Sequence, residues 1–187
     1  LDAKPIKPQP IIKELNEVMA DDAIVTVGAG AHSNFPSGLV MRSPRSFHKA
    51  VGFGSMGFAF PAALGAKLAY PKRQVFCIIG DSDFMMTMQD LETAVRENIA
   101  VVSIIFNDQS FSVIKQIQKQ FYGGRIIGAD FSDTDFAKWA QVCGAVGERV
   151  EDPGKIRPAL QRLLKEGRPA VLDIVTDPWE AMRLGAK

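Results

Sequence analysis

The chain has 187 residues, which is enough for one domain with a sizeable core and tight for two. It is 47% hydrophobic and carries 22 basic and 21 acidic residues, so no net field favours nucleic acid or an anionic membrane surface as a partner. No apolar run approaches the roughly 20 residues that a membrane-spanning helix requires. We therefore expect partners to bind at local sites, with no nucleic acid and no membrane among them.

The first ten residues include Pro5, Pro8 and Pro10, which predict an extended linker over residues 1–10 rather than a helix or a central strand. We expect the domain to span residues 11–178 and a tail to occupy residues 179–187. The N-terminus lacks a signal-peptide apolar region and an initiator Met, which indicates a chain trimmed or cut from something longer.

In the first half of the chain, the hydrophobic pattern alternates between helical and strand periodicity. It predicts a helix over residues 11–19, a strand over 23–30 that ends in glycines, a second strand within 45–51 and a helix within 52–70. Pro61 lies inside the last segment and should mark a helix start or a kink.

The second half opens with two continuous apolar runs, "QVFCIIGDSD" and "IAVVSIIFND", which are typical of parallel strands covered on both faces. Between them, Thr87 and Asp90 form a capping-box pattern that predicts a helix start. Further helices are predicted near 113–121, 136–142 and 156–165, and further strands near 145–150 and 169–177. This alternation predicts an α/β fold, a three-layer, open, mostly parallel sheet with helices on both faces.

The two cysteines, Cys77 and Cys143, lie far apart in apolar stretches, without CxxC or His-rich spacing. We expect buried free thiols rather than a disulfide or a zinc site. Free thiols favour a reducing, cytoplasmic setting.

Asp81 and Asp108 each follow one of the two continuous apolar strands. Because adjacent parallel strands end at the same edge of a sheet, we expect both carboxylates to reach one ion. Oxygen ligands suit Mg²⁺ or Ca²⁺, and Mg²⁺ shares its coordination shell with substrate phosphates, so a diphosphate is the expected ligand. Alternatively, strand-end Asp residues are only turn formers and helix caps, which explains either residue alone better than the pair.

The same residues carry a family resemblance. "GDS" at 80–82, followed after one βα unit by "ND" at 107–108, resembles the GDG…NN motif of thiamine-diphosphate enzymes. With "GFGSMGFAFPAALGAKLA" and "IKQIQKQFYGGR", the chain from about Ile11 to Pro178 resembles the C-terminal, diphosphate-binding domain of the acetolactate synthase-like group.

The resemblance implies that Asp81, Asp108 and the backbone carbonyl of Ser110 ligate Mg²⁺, and that His32 donates to a terminal phosphate oxygen. It implies that Met56 supports the bent cofactor, while the Gly54 carbonyl and the Met56 amide contact its aminopyrimidine ring. The implied cofactor-binding residues are Gly30, Ala31, His32, Gly54, Ser55, Met56, Gly80, Asp81, Ser82, Asp83, Asp108, Ser110 and Phe111.

Four positions depart from the family pattern. Asp108 stands where Asn is usual, and its charge repels a diphosphate unless something neutralises it. Ser82 replaces the second Gly of the motif, at a conformational cost if the position needs a positive φ angle. Ala31 stands where acetolactate synthases tend to carry Gln, and Ile117 stands where they carry a Trp that lines the acceptor pocket.

The resemblance implies an enzyme that decarboxylates or joins small 2-oxo acids, activated by a Glu from a separate pyrimidine-binding domain on the same or a second chain. No such domain is recognisable in this sequence, so we expect no catalytic residue here and no activity of the domain alone. Glu92 and Glu97 are expected to form surface pairs with Arg96. Apolar segments predict a two-fold dimer through the helices after Gly52 and Thr87.

Two alternatives stay open. One is a non-catalytic diphosphate-binding or scaffold domain with a degenerate site, suggested by Ser82, Ala31 and Asp108 together. The other is an NAD-binding protein, although "GAGAHSNFPSG" lacks a clean GxGxxG before a helix.

Overall fold

The structure is a computed structural model that describes residues 3–180. Its helices are α1 (Pro8–Val18), α2 (Ala59–Ala69), α3 (Asp81–Phe84), α4 (Asp90–Arg96), α5 (Ser112–Phe121), α6 (Phe136–Val142) and α7 (Ile156–Glu166), with short 3₁₀ helices at Ala31–Gly38 and Pro153–Lys155. Its strands are β1 (Ile24–Val27), β2 (Phe47–Lys49), β3 (Val75–Gly80), β4 (Val102–Asn107), β5 (Val146–Val150) and β6 (Ala170–Val175).

All six strands are parallel and form one sheet in the order β2-β1-β3-β4-β6-β5. The chain places β2 on one side of β1 and β3 on the other, so the strand order reverses between β1 and β3. In open α/β sheets, ligands bind beyond the carboxyl ends of the strands at such a switch point. The predicted α/β fold with a parallel sheet is confirmed.

Helices cover both faces of the sheet, because alternate residues of each strand point to opposite sides. On one face, Val25 and Val27 of β1 belong to a core that includes α1 and α7. On the other face, Ile24 of β1 and Val75 of β3 pack with α2, α4 and α6. Complete burial of one such side chain contributes about 1.5–3 kcal/mol, so both faces favour apolar residues and the central strands are continuous apolar runs.

The N-terminal prolines do not exclude a helix, so the predicted extended conformation is wrong from Pro8 onward. The helix α1 begins at Pro8, and Pro10 lies in its first turn. Proline is tolerated there because the first amides of a helix have no intrahelical acceptor. Ile6 is fully buried and pairs with Thr176 beyond β6. The division into linker, domain and tail itself stays a prediction.

The capping box predicted at Thr87 and Asp90 is also wrong. The helix α4 begins at Asp90 with Gln89 as its N-cap, and no side chain caps it. The Thr87 hydroxyl has no hydrogen-bond partner among residues 3–180. Pro61, in contrast, lies in the first turn of α2, where a helix start was expected.

Both cysteines are free thiols, Cys77 buried in β3 and Cys143 half-buried after α6. In the predicted tail, the ring centre of Trp179 lies 4.1 Å from the ammonium group of Lys119. Residues 181–187 of this tail lie outside the described structure. Along the described stretch, every helix is too short or too polar to cross a membrane.

Gly147 marks the closest approach of β5 to α6. A Cβ atom at this position would overlap the carbonyl oxygen of Ala137. Gly147→Ala is therefore expected to push α6 away from the sheet and to lower the free energy of unfolding by about 1–3 kcal/mol. The control Gly65→Ala, at an open position of α2, should raise it by about 0.5–1 kcal/mol. Urea denaturation measures both, and equal effects would contradict the close contact.

Candidate functional site

A cleft of about 420 Å³ opens at the carboxyl ends of β1, β3 and β4, at the switch point of the sheet. The loops that follow these three strands form most of its wall, and the loop before α2 adds Gly54 and Met56. The lining residues are 29–34, Gly54, Met56, 80–82, Phe106, Asp108 and 110–114.

Apart from Ser55 and Asp83, the predicted cofactor-binding residues all line this cleft. Ser55 is exposed in the loop between Gly54 and Met56. The lining residues that the sequence did not single out are Ala29, Ser33, Asn34, Phe106, Ser112, Val113 and Ile114. Ser112 carried a signal, because a Ser at a helix start close to an Asp is a common hydrogen-bonding arrangement.

Asp83 lies beneath the cleft rather than in its wall. Its buried carboxylate accepts hydrogen bonds from the amides of Ala29, at 2.7 Å, and Gly57, at 2.5 Å. Burial raises the pKa of Asp83, and these two amides oppose the rise. The side chain thereby joins the loop after β1 to the loop that carries Met56, so it shapes the cleft instead of lining it.

His32 packs its imidazole against the backbone of Gly80. A Cβ atom at Gly80 would lie 2.7 Å from His32 Nδ1, so only glycine permits this contact. Burial, aided by the charge of Lys49, lowers the pKa of His32 to about 3, so the imidazole is neutral at physiological pH. Its Nε2 atom lies 3.7 Å from Asp83 Oδ2, but a neutral ring forms no ion pair. A neutral imidazole keeps one N–H, which can be donated to an anion in the cleft.

Asp81 is the first residue after β3 and is 2% exposed. Its Oδ1 accepts a hydrogen bond of 2.5 Å from the Ser82 amide, whereas its Oδ2 is buried without a partner among the described residues. Burial first, and the charge of Asp108 second, raise the pKa of Asp81 to about 7. A buried carboxylate oxygen without a partner is costly, and a bound cation would compensate it.

Asp108, after β4, is bound by two serine hydroxyls. Its Oδ1 accepts from the amide of Ser110, at 3.1 Å, and from the hydroxyl of Ser110, at 2.9 Å, and its Oδ2 accepts from the hydroxyl of Ser112. Burial raises the pKa of Asp108, and the two hydroxyls and the charge of Lys115 oppose the rise. Both carboxylates line the cleft, and the charge of Asp108 helps to raise the pKa of Asp81.

Two departures from the family pattern have less effect than expected. Ser82 lies in α3 and has no positive φ angle, so serine carries no conformational cost there. Lys115, which forms an ion pair of 2.5 Å with Asp130, also lowers the pKa of Asp108 by its charge. Lys115 therefore offsets part of the negative charge that Asp108 adds.

Glu92 and Glu97 lie away from the cleft lining. Arg96 pairs with Glu92 Oε2 at 3.1 Å and with Glu97 Oε1 at 3.0 Å, and all three side chains are exposed. Between residues 3 and 180, no group of three or more His, Cys, Asp or Glu side chains is placed to hold a metal. A cation at Asp81 and Asp108 would therefore complete its shell with backbone oxygens, water or phosphate.

Comparison with known proteins identifies the class to which this fold and cleft belong. Residues 28–174 match the family described as "Thiamine pyrophosphate enzyme, C-terminal TPP binding domain". The chain therefore belongs to the thiamine pyrophosphate enzymes, as a C-terminal domain that binds thiamine pyrophosphate (thiamine diphosphate).

Within this family, the chain is similar to acetolactate synthases. It is 39% identical to the "Probable acetolactate synthase large subunit" of Methanococcus aeolicus, over 98% of this chain and 32% of that protein. It is 39% identical to the "Acetolactate synthase catalytic subunit, mitochondrial" of Aspergillus candidus, over 92% of this chain and 25% of that protein. The "Sulfoacetaldehyde acetyltransferase" of Castellaniella defragrans is 31% identical over 91% of this chain and 29% of that protein. The chain thus spans a third or less of these relatives' lengths.

The raised pKa of Asp81 predicts a pH-dependent stability of the metal-free chain. Between the ordinary pKa near 4 and the folded value of about 7, the folded state binds the proton more tightly, so stability from this group falls as the pH rises. Asp81→Asn removes this loss. The variant should already be somewhat more stable than the parent at pH 5, and its advantage should grow by about 2–3 kcal/mol between pH 5 and pH 8.

Thermal unfolding in the presence of EDTA, from pH 5 to pH 8, measures this difference. Asp21→Asn is the control, because the Asp21 side chain is 85% exposed. A stability difference between Asp81→Asn and the parent that stays constant over this pH range would contradict the burial of a titrating carboxyl.

Proposed function

We propose that this chain is the cofactor-binding domain of an acetolactate synthase-like enzyme, which uses thiamine diphosphate and Mg²⁺ to decarboxylate or join small 2-oxo acids. The observation that carries the proposal is the convergence of Asp81, Asp108 and neutral His32 on one cleft of a thiamine pyrophosphate enzyme domain. We also propose a cytoplasmic location.

The acidic wall of the cleft would hold the metal. Asp81 and Asp108 offer carboxylate oxygens, and the buried Asp81 Oδ2 has no hydrogen-bond partner among the described residues. The backbone carbonyl of Ser110 would supply a third protein oxygen. Such a set of hard oxygen donors fits Mg²⁺, which keeps the rest of its shell for water and phosphate.

The loop after β1 would hold the diphosphate. Without a cation, two carboxylates in one cleft would repel an anion, so Mg²⁺ would be needed to offset their charge. Gly30 and Ala31 offer backbone amides in that loop, and neutral His32 offers an N–H without adding charge.

The apolar part of the cleft would receive the rings of the cofactor. Met56, half-buried in the wall, and the backbone of Gly54 would orient them, while Phe106, Phe111 and Val113 exclude water. When bound, thiamine diphosphate supplies the nucleophilic carbon that reacts with the carbonyl group of a 2-oxo acid. This chain would bind and orient the cofactor.

An apolar groove of about 700 Å³ adjoins the cleft and offers a place for the substrate. Ile114 lines both the cleft and the groove, and Ile117 and Tyr122 line the groove. Ile117 stands where acetolactate synthases carry a Trp, so the groove is wider at this point than a Trp would leave it. We propose that the acceptor differs in size from that of authentic acetolactate synthases.

Activity would require a second domain. Within the described structure, the cleft lining contains no glutamate, so the activating Glu would come from a pyrimidine-binding domain of the same or a second chain. Exposed apolar side chains near the cleft support the proposal that another domain covers this face. Val51, Phe53 and Met86 are 82%, 102% and 49% exposed. Phe121 and Tyr122 on the groove side are 66% and 58% exposed.

A non-catalytic diphosphate-binding domain is the second candidate. The observation in its favour is Asp108, because a second carboxylate beside a diphosphate weakens binding unless metal and Lys115 offset it. Activity after addition of a pyrimidine-binding domain would exclude it. The family match argues against the NAD-binding alternative.

Thiamine diphosphate binding in excess Mg²⁺, measured by calorimetry, tests the roles of the two carboxylates. Asp81→Asn should weaken binding by about 10-fold or more, because it removes the ligand whose oxygen has no protein partner. Asp108→Asn should retain or strengthen binding, because it keeps an oxygen donor and removes a charge. Equal losses in both variants would contradict these roles.

Sedimentation equilibrium at high micromolar concentration tests self-association. We expect a two-fold dimer through the helices α2 and α4, since closed symmetric dimers are the commonest assemblies. Leu68→Asp should shift the chain toward monomer, because Leu68 lies on α2 and is 65% exposed. Val142→Asp is the control, because this valine, at the end of α6, is 83% exposed and lies outside the cleft. A parent chain that is entirely monomeric would contradict the dimer.

A further inference from the structure

We propose that Arg149, with Asp133 and Asp173, positions the loop that carries Asp108 for metal binding. None of the three residues lines the cleft, so they act through other residues. The inference rests on the metal-binding role proposed for Asp108. It adds the residues that would hold this metal ligand in place.

Two sets of hydrogen bonds, here called the two arms, hold the loop of Asp108. The first arm holds the residue before Asp108. Asn107 is 1% exposed, and its Nδ2 donates to Asp173 Oδ1 at 2.9 Å and to the Thr134 carbonyl at 3.0 Å. Asp173 is fully buried on β6, and its Oδ2 accepts from the Phe136 amide at 3.1 Å. The end of β4 is thus tied to a buried carboxylate on the neighbouring strand.

The second arm holds the residue after Asp108. Gln109 Nε2 donates to Asp133 Oδ1 at 3.0 Å, and the Gln109 carbonyl accepts from the Phe131 amide at 2.7 Å. Gln109 has a φ angle of 58°, a left-handed conformation that non-glycine residues rarely adopt. Its side-chain hydrogen bond therefore helps to hold a turn that the backbone alone does not favour.

Both arms meet at the guanidinium of Arg149 on β5. Its Nη1 lies 3.5 Å from Asp173 Oδ2, and its Nη2 donates at 2.7 Å to the same Asp133 oxygen that binds Gln109. A planar guanidinium with donors on several edges is suited to join carboxylates in this way. Because the residues on both sides of Asp108 are linked to one cation, a shift of the loop would break bonds in at least one arm.

A purely stabilising role for Arg149 is the competing interpretation, because buried Asp173 needs a cation in any case. A comparison of two surface carboxylates, Asp133 and Glu151, can distinguish the two interpretations. Asp133 and Glu151 both pair with Arg149, at 2.7 and 3.1 Å, and their side chains are 60% and 68% exposed. Of the two, it is Asp133 that also accepts a hydrogen bond from Gln109.

The experiment compares Asp133→Ala with Glu151→Ala, two variants of similar exposure that leave the cleft lining unchanged. The first readout is amide hydrogen exchange of the metal-free 187-residue chain, followed by NMR. The Ser110 and Phe111 amides should exchange about 3- to 10-fold faster in Asp133→Ala, the factor expected for one lost hydrogen bond. In Glu151→Ala they should exchange as in the parent.

The second readout is Mn²⁺ binding, followed by electron paramagnetic resonance. Asp133→Ala should bind Mn²⁺ about 3- to 10-fold more weakly, and Glu151→Ala should stay within about two-fold of the parent. Adding Gln109→Ala to Asp133→Ala should cause little further loss, because the bond is already broken.

Equal exchange rates at Ser110 and Phe111 in the two variants would overturn the positioning role and leave Arg149 as a stabilising residue. Faster exchange in Asp133→Ala with unchanged Mn²⁺ affinity would also overturn it, since the loop would then not determine binding. A parent chain that binds no Mn²⁺ would contradict the proposed metal site, while the exchange rates would still decide whether Asp133 holds the loop.

Discussion

Parallel pairing of β1, β3 and β4 determines where the side chains of the cleft emerge. The register pairs Val27 with Ile78 and Gly80 with Phe106, so the three strands end at nearly the same level of the sheet. The residues that follow them, His32, Asp81 and Asp108, therefore meet at one edge although they are far apart in sequence. Each strand is held there by apolar cores on both faces, which gives the loops a rigid base.

Charge is the second constraint on this edge. Burial raises the pKa of both Asp81 and Asp108, while burial lowers that of His32. Burial thus disfavours a charge on each of the three groups. Serine hydroxyls and Lys115 stabilise the Asp108 carboxylate, and backbone amides partly oppose the raised pKa of Asp81. The same arrangement would favour a divalent cation and, through it, an anionic ligand.

Much of the fold was predictable because the strands are apolar on both faces and the turns carry Gly, Asp and Asn. The ends of the elements were less predictable. Pro8 and Pro10 argued against a helix, yet a helix tolerates proline in its first turn. Thr87 and Asp90 had the spacing of a capping box, but the chain makes further turns after α3 before α4 begins, so local spacing gave the wrong start.

The sequence by itself determined the strand-end motifs and therefore that Asp81 and Asp108 line one cleft, because a parallel sheet brings the ends of its strands together wherever they occur along the chain. Tertiary structure alone decided what those residues do to one another. Asp83, two residues after Asp81, lies beneath the cleft because its carboxylate accepts hydrogen bonds from the amides of Ala29 and Gly57. Asp133 accepts a hydrogen bond from Gln109 in the loop of Asp108, and Arg149 donates to Asp133 from β5, which β6 separates from β4; such long-range packing leaves no local pattern in the sequence.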